Sequence, residues 1–342
     1  MSERPQRNLA LDLVRVTESA ALAGARQMGL GDKQVARAAV DAMRLMLQTV
    51  EMDGVIVIGE GEKGDARVLY NGESVGTGRP PAVDVAVDPV EGTSLLALGR
   101  SDVISVVALA ERWSMWNPGP SLYADKLVVR RAARDAIDLR RSPTDNLRAI
   151  ASALHCQPRD LTVFVLEKPR HEGLIREIRE AGARVTLHTE GDVAFAILAA
   201  TPGSGVDVLM GIGGAPEAVI AASAVRALGG GMQIRRAPQG DKERERVQAA
   251  VGPSIDEILT DADLIRSDDV FFAATGITDG SLVRGVRYGP EGVTTESIVM
   301  RGRSGTVRYI RAVHQLDRLM KFSQVDYGGN LRTAPLPERT SG

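Results

Sequence analysis

The 342-residue chain contains one cysteine, Cys156. A single thiol excludes intramolecular disulfides and Cys-rich zinc or iron–sulfur sites. Histidine is almost as scarce: His155, His171, His188 and His314 are scattered, with no His-Glu-x-x-His pair. A metal here would rest on oxygen ligands, which suits hard divalent cations. An excess of charge of either sign is also missing. The 42 basic side chains nearly balance 44 acidic ones, for a net charge of −2, so no overall field draws the chain to nucleic acid or an anionic membrane. No apolar run approaches the roughly 18 residues of a membrane span, and the start, MSERPQRNLALDL, lacks the apolar centre of a secretion signal. These absences point to a soluble, cytoplasmic protein with no nucleic-acid or membrane partner.

Glycine is plentiful, at 36 residues, and its placement is informative. Val55-Ile56-Val57-Ile58 leads into Gly59-Glu60-Gly61-Glu62, and Val206–Met210 leads into Gly211-Ile212-Gly213-Gly214. A strand, a Gly-rich loop and then a helix is the arrangement by which α/β proteins hold ligands at strand C-termini. Strands are predicted at 55–58, 83–87, 104–110, 126–129, 161–166, 184–187, 206–210, 270–274 and 306–310. Helices are predicted over 9–28, along the apolar face Val35, Ala39, Met43, Met46 and Val50, over 172–181, and from Pro216 through Ala227. Strands that read as continuous apolar runs, alternating with helices, indicate layered α/β packing. Pro143 and Pro158 flank a short helix. A break there would divide the chain into an N-terminal part, 1–150, and a C-terminal part, 151–342.

The stretch Val83-Asp84-Val85-Ala86-Val87-Asp88-Pro89-Val90-Glu91-Gly92-Thr93 carries the most chemistry. Pro89 should end the strand at Asp88, placing Glu91 and Thr93 in a turn where Gly92 permits close backbone approach. Two carboxylates and a hydroxyl at one strand end suit Mg²⁺ or Mn²⁺; an acidic β-turn capped by Thr93 is the plain structural alternative. Glu60 and Glu62 repeat this chemistry after a second strand, and Glu217 after a third. Carboxylates from three strand ends can hold two cations. A dinucleotide reading of the Gly211 loop fails: the third glycine of the fingerprint falls on Pro216, and about twenty residues on the chain has Gln233-Ile-Arg-Arg rather than an acid. A backbone nest for phosphate remains open there. Lys168-Pro169-Arg170-His171 reads equally as a phosphate grip or a solvated basic turn. Glu190-Gly191-Asp192 suits hydroxyl recognition or caps a helix starting near Val193.

These residues resemble the class II fructose-1,6-bisphosphatases, of the lithium-sensitive, metal-dependent sugar phosphatase superfamily. The resemblance spans about Leu9 to Leu316 through Val16-Thr-Glu-Ser-Ala-Ala-Leu-Ala-Gly24, Ile56-Val-Ile-Gly-Glu-Gly-Glu62, Val87-Asp-Pro-Val-Glu-Gly-Thr93, Lys168-Pro-Arg-His171, Gly191-Asp-Val-Ala194, Gly211-Ile-Gly-Gly-Ala-Pro-Glu217 and Ala274-Thr-Gly-Ile-Thr278. It implies a layered α-β-α-β-α phosphatase fold, a homodimer or homotetramer, and hydrolysis of the terminal phosphate of a sugar bisphosphate by direct attack of water with Mg²⁺ or Mn²⁺. Carried over by residue, it makes Glu60, Asp88, Glu91 and Glu217 metal ligands, Glu62 an additional acid of that cluster and Thr93 the hydroxyl that polarises water, so that Thr93, Glu62 and Asp88 are the catalytic residues. Lys33, Glu91, Gly92, Thr93, Tyr123, Lys168, Arg170, Glu190, Asp192 and Gly214 become substrate contacts.

Four departures stand against that pattern. Arg37 falls near the place of an aspartate ligand after a one-residue deletion, and is expected to enter the site and repel a second cation. Pro118-Gly-Pro-Ser-Leu lacks an acid before Tyr123, Glu190 replaces an aspartate, and 229–265 is shorter. Together they suggest a substrate shifted from the standard gluconeogenic one, either fructose 1,6-bisphosphate, sedoheptulose 1,7-bisphosphate or a related sugar. A sugar-phosphate binder with weakened turnover is the alternative. Retained Asp88, Glu91, Thr93 and Glu217 favour the enzyme.

Overall fold

The structure, a computed structural model, describes residues 8–31, 36–61, 68–290, 292–323, 325 and 327. Lys33, Val35 and Glu62 lie outside the described residues. In chain order, α1 (Ala10–Ala25) and α2 (Arg37–Leu47) precede β1 (Asp53–Ile58), β2 (Ser74–Val75) and β3 (Ala82–Glu91). Then come α3 (Thr93–Ala97), β4 (Ile104–Glu111), β5 (Tyr123–Val129), α4 (Pro143–Ala153), β6 (Thr162–Leu166), α5 (Glu172–Glu180) and β7 (Arg184–His188). Next are α6 (Asp192–Ala200), β8 (Val208–Gly214), α7 (Ala215–Leu228), β9 (Gly231–Arg236), α8 (Asp241–Val251), β10 (Ile258–Thr260) and α9 (Asp261–Leu264). The last are β11 (Phe271–Gly276), β12 (Arg287–Gly289), β13 (Gly292–Arg301), β14 (Thr306–His314) and α10 (Leu316–Ser323).

Two helices explain the layering. Every residue of α6 is buried, and α7 buries all but Pro216, Glu217, Arg226 and Leu228. A helix apolar on all sides needs cover on all sides. Alanines dominate both helices, so sheets can close on each face: α7 packs against β4 and β11 of one sheet and against β5 and β9 of the other. The first sheet runs β12-β13-β11-β4-β3-β1-β2, with β14 beside β13; the second runs β10-β9-β5-β8-β6-β7. Helices α1 and α2 cover the outer face of the first sheet with a second apolar cluster. Residues of α4 and α5, among them Leu147, Ile150 and Ile178, cover the outer face of the second. The result is the expected α-β-α-β-α stack. The chain passes between sheets twice, after β4 and after β10, so each sheet is assembled from separated stretches. Among the described residues, no helix is long and apolar enough to cross a membrane.

Two local expectations are corrected. Strand β3 does not stop at Asp88. Asp88 pairs with Val106 and Glu91 with Ile104, so three steps on β3 match two on β4. Pro89 offers no N–H to the ladder, and the Val90 N–H is satisfied by Asp88 Oδ1 at 3.0 Å. This bulge matters because residues three apart on a regular strand face opposite ways; one extra residue turns Asp88 and Glu91 to the same side. Likewise Gly211–Gly214 is not a loop. It extends β8 against β5, with Gly214 opposite Tyr123, and α7 begins at the next residue.

The central layer should tolerate no added volume. Ala222, fully buried in α7, becomes overpacked as Ala222→Leu, expected to cost about 1–3 kcal/mol in chemical denaturation. An unchanged midpoint would show that the layer has slack.

Candidate active site

Four connections converge on one cavity of about 290 Å³. Its wall includes Asp88, Glu91, Gly92, Thr93, Lys168, Arg170, Glu190, Asp192, Gly214 and Glu217. The β3 bulge supplies Asp88 and Glu91, the first turns of α6 and α7 supply Asp192 and Glu217, and the turn after β6 supplies the cations. Glu60, exposed at the rim just past β1, is close enough to raise the Asp88 pKa. Arg37 is exposed at the start of α2 and is not part of this wall, so the expectation that it enters the site is not met.

The carboxylates are held against their electrostatic preference. Burial pushes Asp88 well above the ordinary carboxylate value, and Glu60, Glu217 and Asp192 push it further. Burial and then Asp192 and Asp88 do the same to Glu91, and burial and Asp192 raise Glu217. The carboxyl of Glu60, though its side chain reaches solvent, is raised by the protein packed around it. One oxygen each of Glu91 and Glu217, Oε2 in both, is buried without a hydrogen-bond partner. Orphaned anionic oxygens in a dry wall are what a hard divalent cation satisfies. The donor set therefore fits such an ion, although among the described residues no three His, Cys, Asp or Glu side chains already converge tightly around one point.

Helix starts complete the wall. Gly92 (φ 99°) and Gly191 (φ 103°) are left-handed N-caps of α3 and α6, a conformation that favours glycine. Neither has a side chain to cap its helix, and carboxylates from elsewhere do so. Glu190 accepts from the Ser94 N–H at 3.2 Å, and Glu91 from the Val193 N–H at 3.3 Å. Glu190 thus ties the segment between β7 and α6 to the segment that carries Asp88 and Glu91.

Sequence reasoning missed Lys126. Buried on β5, it donates to Asp192 Oδ2 at 2.6 Å and lowers the Glu217 pKa. Its charge was unremarkable in the strand pattern; only the β5–β8 pairing brings it under the acids. Gly213 makes this possible, because a Cβ there would sit 2.0 Å from Asp192 Oδ2 and 3.0 Å from Lys126 Nζ. The role of His171 was missed too. Its Nδ1–H donates to the Leu166 carbonyl at 2.6 Å, and Nε2 accepts from the Ile212 N–H at 2.8 Å. Strands β6 and β8 pair only at Val163–Val208 and Phe164–Leu209, so the imidazole bridges them where they part. Burial first, then Arg170 and Lys168, lower its pKa and favour the neutral ring this bridge needs. Arg170 donates to the carbonyl of the same Ile212 at 2.8 Å and lies 5.2 Å from the Tyr123 ring centroid. Tyr123 thereby joins the site through Arg170.

Layered sheets with buried acids at the strand ends, opposite a basic turn, define a layered α/β phosphatase fold. The family model described as bacterial fructose-1,6-bisphosphatase, glpX-encoded, matches residues 7–314, and the chain belongs to that family. It is 46% identical over 326 residues to fructose-1,6-bisphosphatase 1 class 2 of Escherichia coli K12, covering 92% of this chain and 97% of that protein. The fructose-1,6-bisphosphatase class 2 proteins of Escherichia coli O6:H1 and Shigella flexneri give the same identity and coverage.

Two outcomes test the electrostatics. An acid whose pKa is raised by folding stabilises the protein below its unfolded pKa, and that contribution is lost as pH rises through the folded value. In chelator at about pH 8, Asp88→Asn should therefore raise Tm over wild type by about 1–2 °C, the shift that about 1 kcal/mol produces in a chain of this length. That advantage should shrink toward about pH 5, and added Mg²⁺ should stabilise wild type more than the variant. A pH-independent difference would refute strain at Asp88. Gly213→Ala should separate Lys126 from Asp192 at a cost of about 3–5 kcal/mol, whereas Gly240→Ala, with nothing within 4 Å of its added Cβ, should be near neutral by thermal melting.

Proposed function

We propose that this chain is a phosphoric monoester hydrolase that removes the terminal phosphate of a sugar bisphosphate, of the fructose 1,6-bisphosphate or sedoheptulose 1,7-bisphosphate type. The observation that carries this reading is the pair of orphaned carboxylate oxygens, on Glu91 and Glu217, in the same cavity wall as Lys168 and Arg170. Opposite chemistries in one cavity suit a substrate with a phosphate at each end. Membership of the fructose-1,6-bisphosphatase family supports it.

Asp88, Glu91 and Glu217, with Glu60 at the rim, would hold Mg²⁺ or Mn²⁺; such an ion lowers the pKa of water and offsets charge growing on phosphoryl oxygens. The remaining work falls to the chain. Thr93 Oγ1 donates its proton to the Val90 carbonyl at 3.1 Å, which leaves its lone pairs to accept from water and orient it for direct attack, with no phospho-enzyme. Glu62 is assigned a supporting acid role by the resemblance. Lys168 and Arg170 hold the distal phosphate, with Arg170 braced by Tyr123 and Ile212. Asp192 has Oδ1 left for a sugar hydroxyl once Oδ2 is committed to Lys126. Glu190 and the backbone at Gly92 and Gly214 contact the sugar phosphate, as does Lys33 by resemblance. A cytoplasmic homodimer or homotetramer belongs to the same reading.

Phosphate release from a panel of sugar mono- and bisphosphates, with Mg²⁺ or Mn²⁺, tests it. A sugar bisphosphate should be hydrolysed best, and Asp88→Asn should abolish turnover. Thr93→Ala should lower kcat by about 10²–10⁴-fold, the range for a positioned proton-handling group, with KM little changed. Wild-type turnover by Asp88→Asn, or a trapped phosphothreonine at position 93, would overturn the mechanism.

A further inference from the structure

We propose that a second cavity, on the outer face of the second sheet, is a separate binding site for a small phosphate- or phosphonate-bearing molecule with a short apolar body. This cavity of about 260 Å³ lies between the sheet and α4 and α5, lined by Arg141, Arg170 and Arg235 together with Asp125, Leu127 and Met210, among others. Its volume is about eight to nine times the ~30 Å³ share of one water, room for a phosphoryl head and a small ring.

The charge on its wall is unbalanced. Asp125 is its only carboxylate, and it meets Arg235 through a single contact at 3.3 Å. A guanidinium carries five donor hydrogens, so Arg235 keeps most of its capacity. Arg141 has weaker support. Its nearest acid, Asp138, is 3.9 Å away and is held by Arg140 through two bonds of 2.9 Å. Those bonds hold Asp138 down to about 2, so its charge is already committed. Arg170 uses one donor on the Ile212 carbonyl. His171 adds no donor, because its Nδ1–H is spent on Leu166 and its Nε2 accepts from Ile212. Lys126 also lines the cavity, its charge met by Asp192 at 2.6 Å; the three guanidiniums against one carboxylate then leave an excess of about two positive charges, which favours an oxyanion that arginine can bind bidentately. Leu127 and Met210 belong to the apolar cluster beneath, and the apolar body would lie against them.

This cavity and the acidic one share Arg170. An anion bound to the outer cavity would engage that guanidinium and weaken its hold on the substrate's distal phosphate. The site is thus placed to inhibit by raising KM.

Phenylphosphonate, which has no ester bond to hydrolyse, is the probe. Calorimetric titration should find one saturable site per chain in Lys168→Met, where the substrate grip is disabled. Adding Arg141→Gln with the neutral pair Asp125→Asn and Arg235→Gln should weaken it at least tenfold, in protein shown folded by thermal melting. In the Lys168 background this arm needs no turnover, so it stands or falls apart from the proposed reaction. In the otherwise wild-type enzyme, the outer substitutions should leave kcat and KM within twofold without phosphonate while relieving its inhibition. No saturable binding to Lys168→Met would overturn the proposal, as would binding indifferent to the outer substitutions. A tenfold rise in KM from those substitutions alone would do the same, by making the cavity part of the substrate's own path.

Discussion

Five carboxylates, from Asp88, Glu91, Glu190, Asp192 and Glu217, line one small cavity, and a buried ammonium beside it, Lys126, is bonded to Asp192. Separating such charges from water is costly unless each finds a partner. Much of the surrounding structure relates to that constraint. The β3 bulge gathers two acids on one face, and the first turns of α6 and α7 bring two more. Their aligned peptide dipoles place positive ends toward the acids. What the protein leaves unmet, two buried oxygens and raised pKa values, is a deficit of positive charge, which a divalent cation and the cationic turn would fill.

Close approach between backbone and acid depends on particular glycines. At Gly213 and Gly214 an added Cβ would collide with the carboxylates of Asp192 and Glu217. These residues are strand, so their lack of side chains serves proximity rather than turn formation. The same strand passes Ile212 between two anchors: its N–H bonds to His171 and its carbonyl to Arg170. The imidazole spans the gap where β6 and β8 diverge, at the C-terminal ends of parallel strands, the usual ligand crevice of α/β sheets. Opening the crevice and fixing the cationic turn beside it are therefore one structural event.

The apolar stack beneath explains how such strain is borne. Helices α6 and α7, apolar on nearly all sides, are clamped between two sheets, and their first turns project into the site. Displacing an acid would mean moving a helix packed on both faces, which close-packed interiors resist.

Much of this was legible in the linear chain. Strands β1, β3 to β6 and β8 contain the apolar runs read from the sequence, and Asp88, Glu91, Glu217, Lys168 and Arg170 were singled out as acids and bases that follow such runs. Element type follows from local periodicity, which a sequence displays directly. Strands β2, β9, β10, β12 and β13 and helices α3, α8, α9 and α10 were not read, because short or mixed patterns acquire their state from neighbours. Lys126 looked like an ordinary strand residue, and His171 like the tail of a basic turn. Arg37, expected in the site from the place of a family aspartate, is exposed at the start of α2 and does not line the cavity. Pro89 promised a strand end and instead marks a bulge, since the partner strand could slip by one residue. Residue chemistry and period were settled by the sequence. Which side chains meet, which face a bulge selects and which charge lies beneath the acids were decided by pairing between distant strands, because those contacts join residues whose separation along the chain carries no local signal.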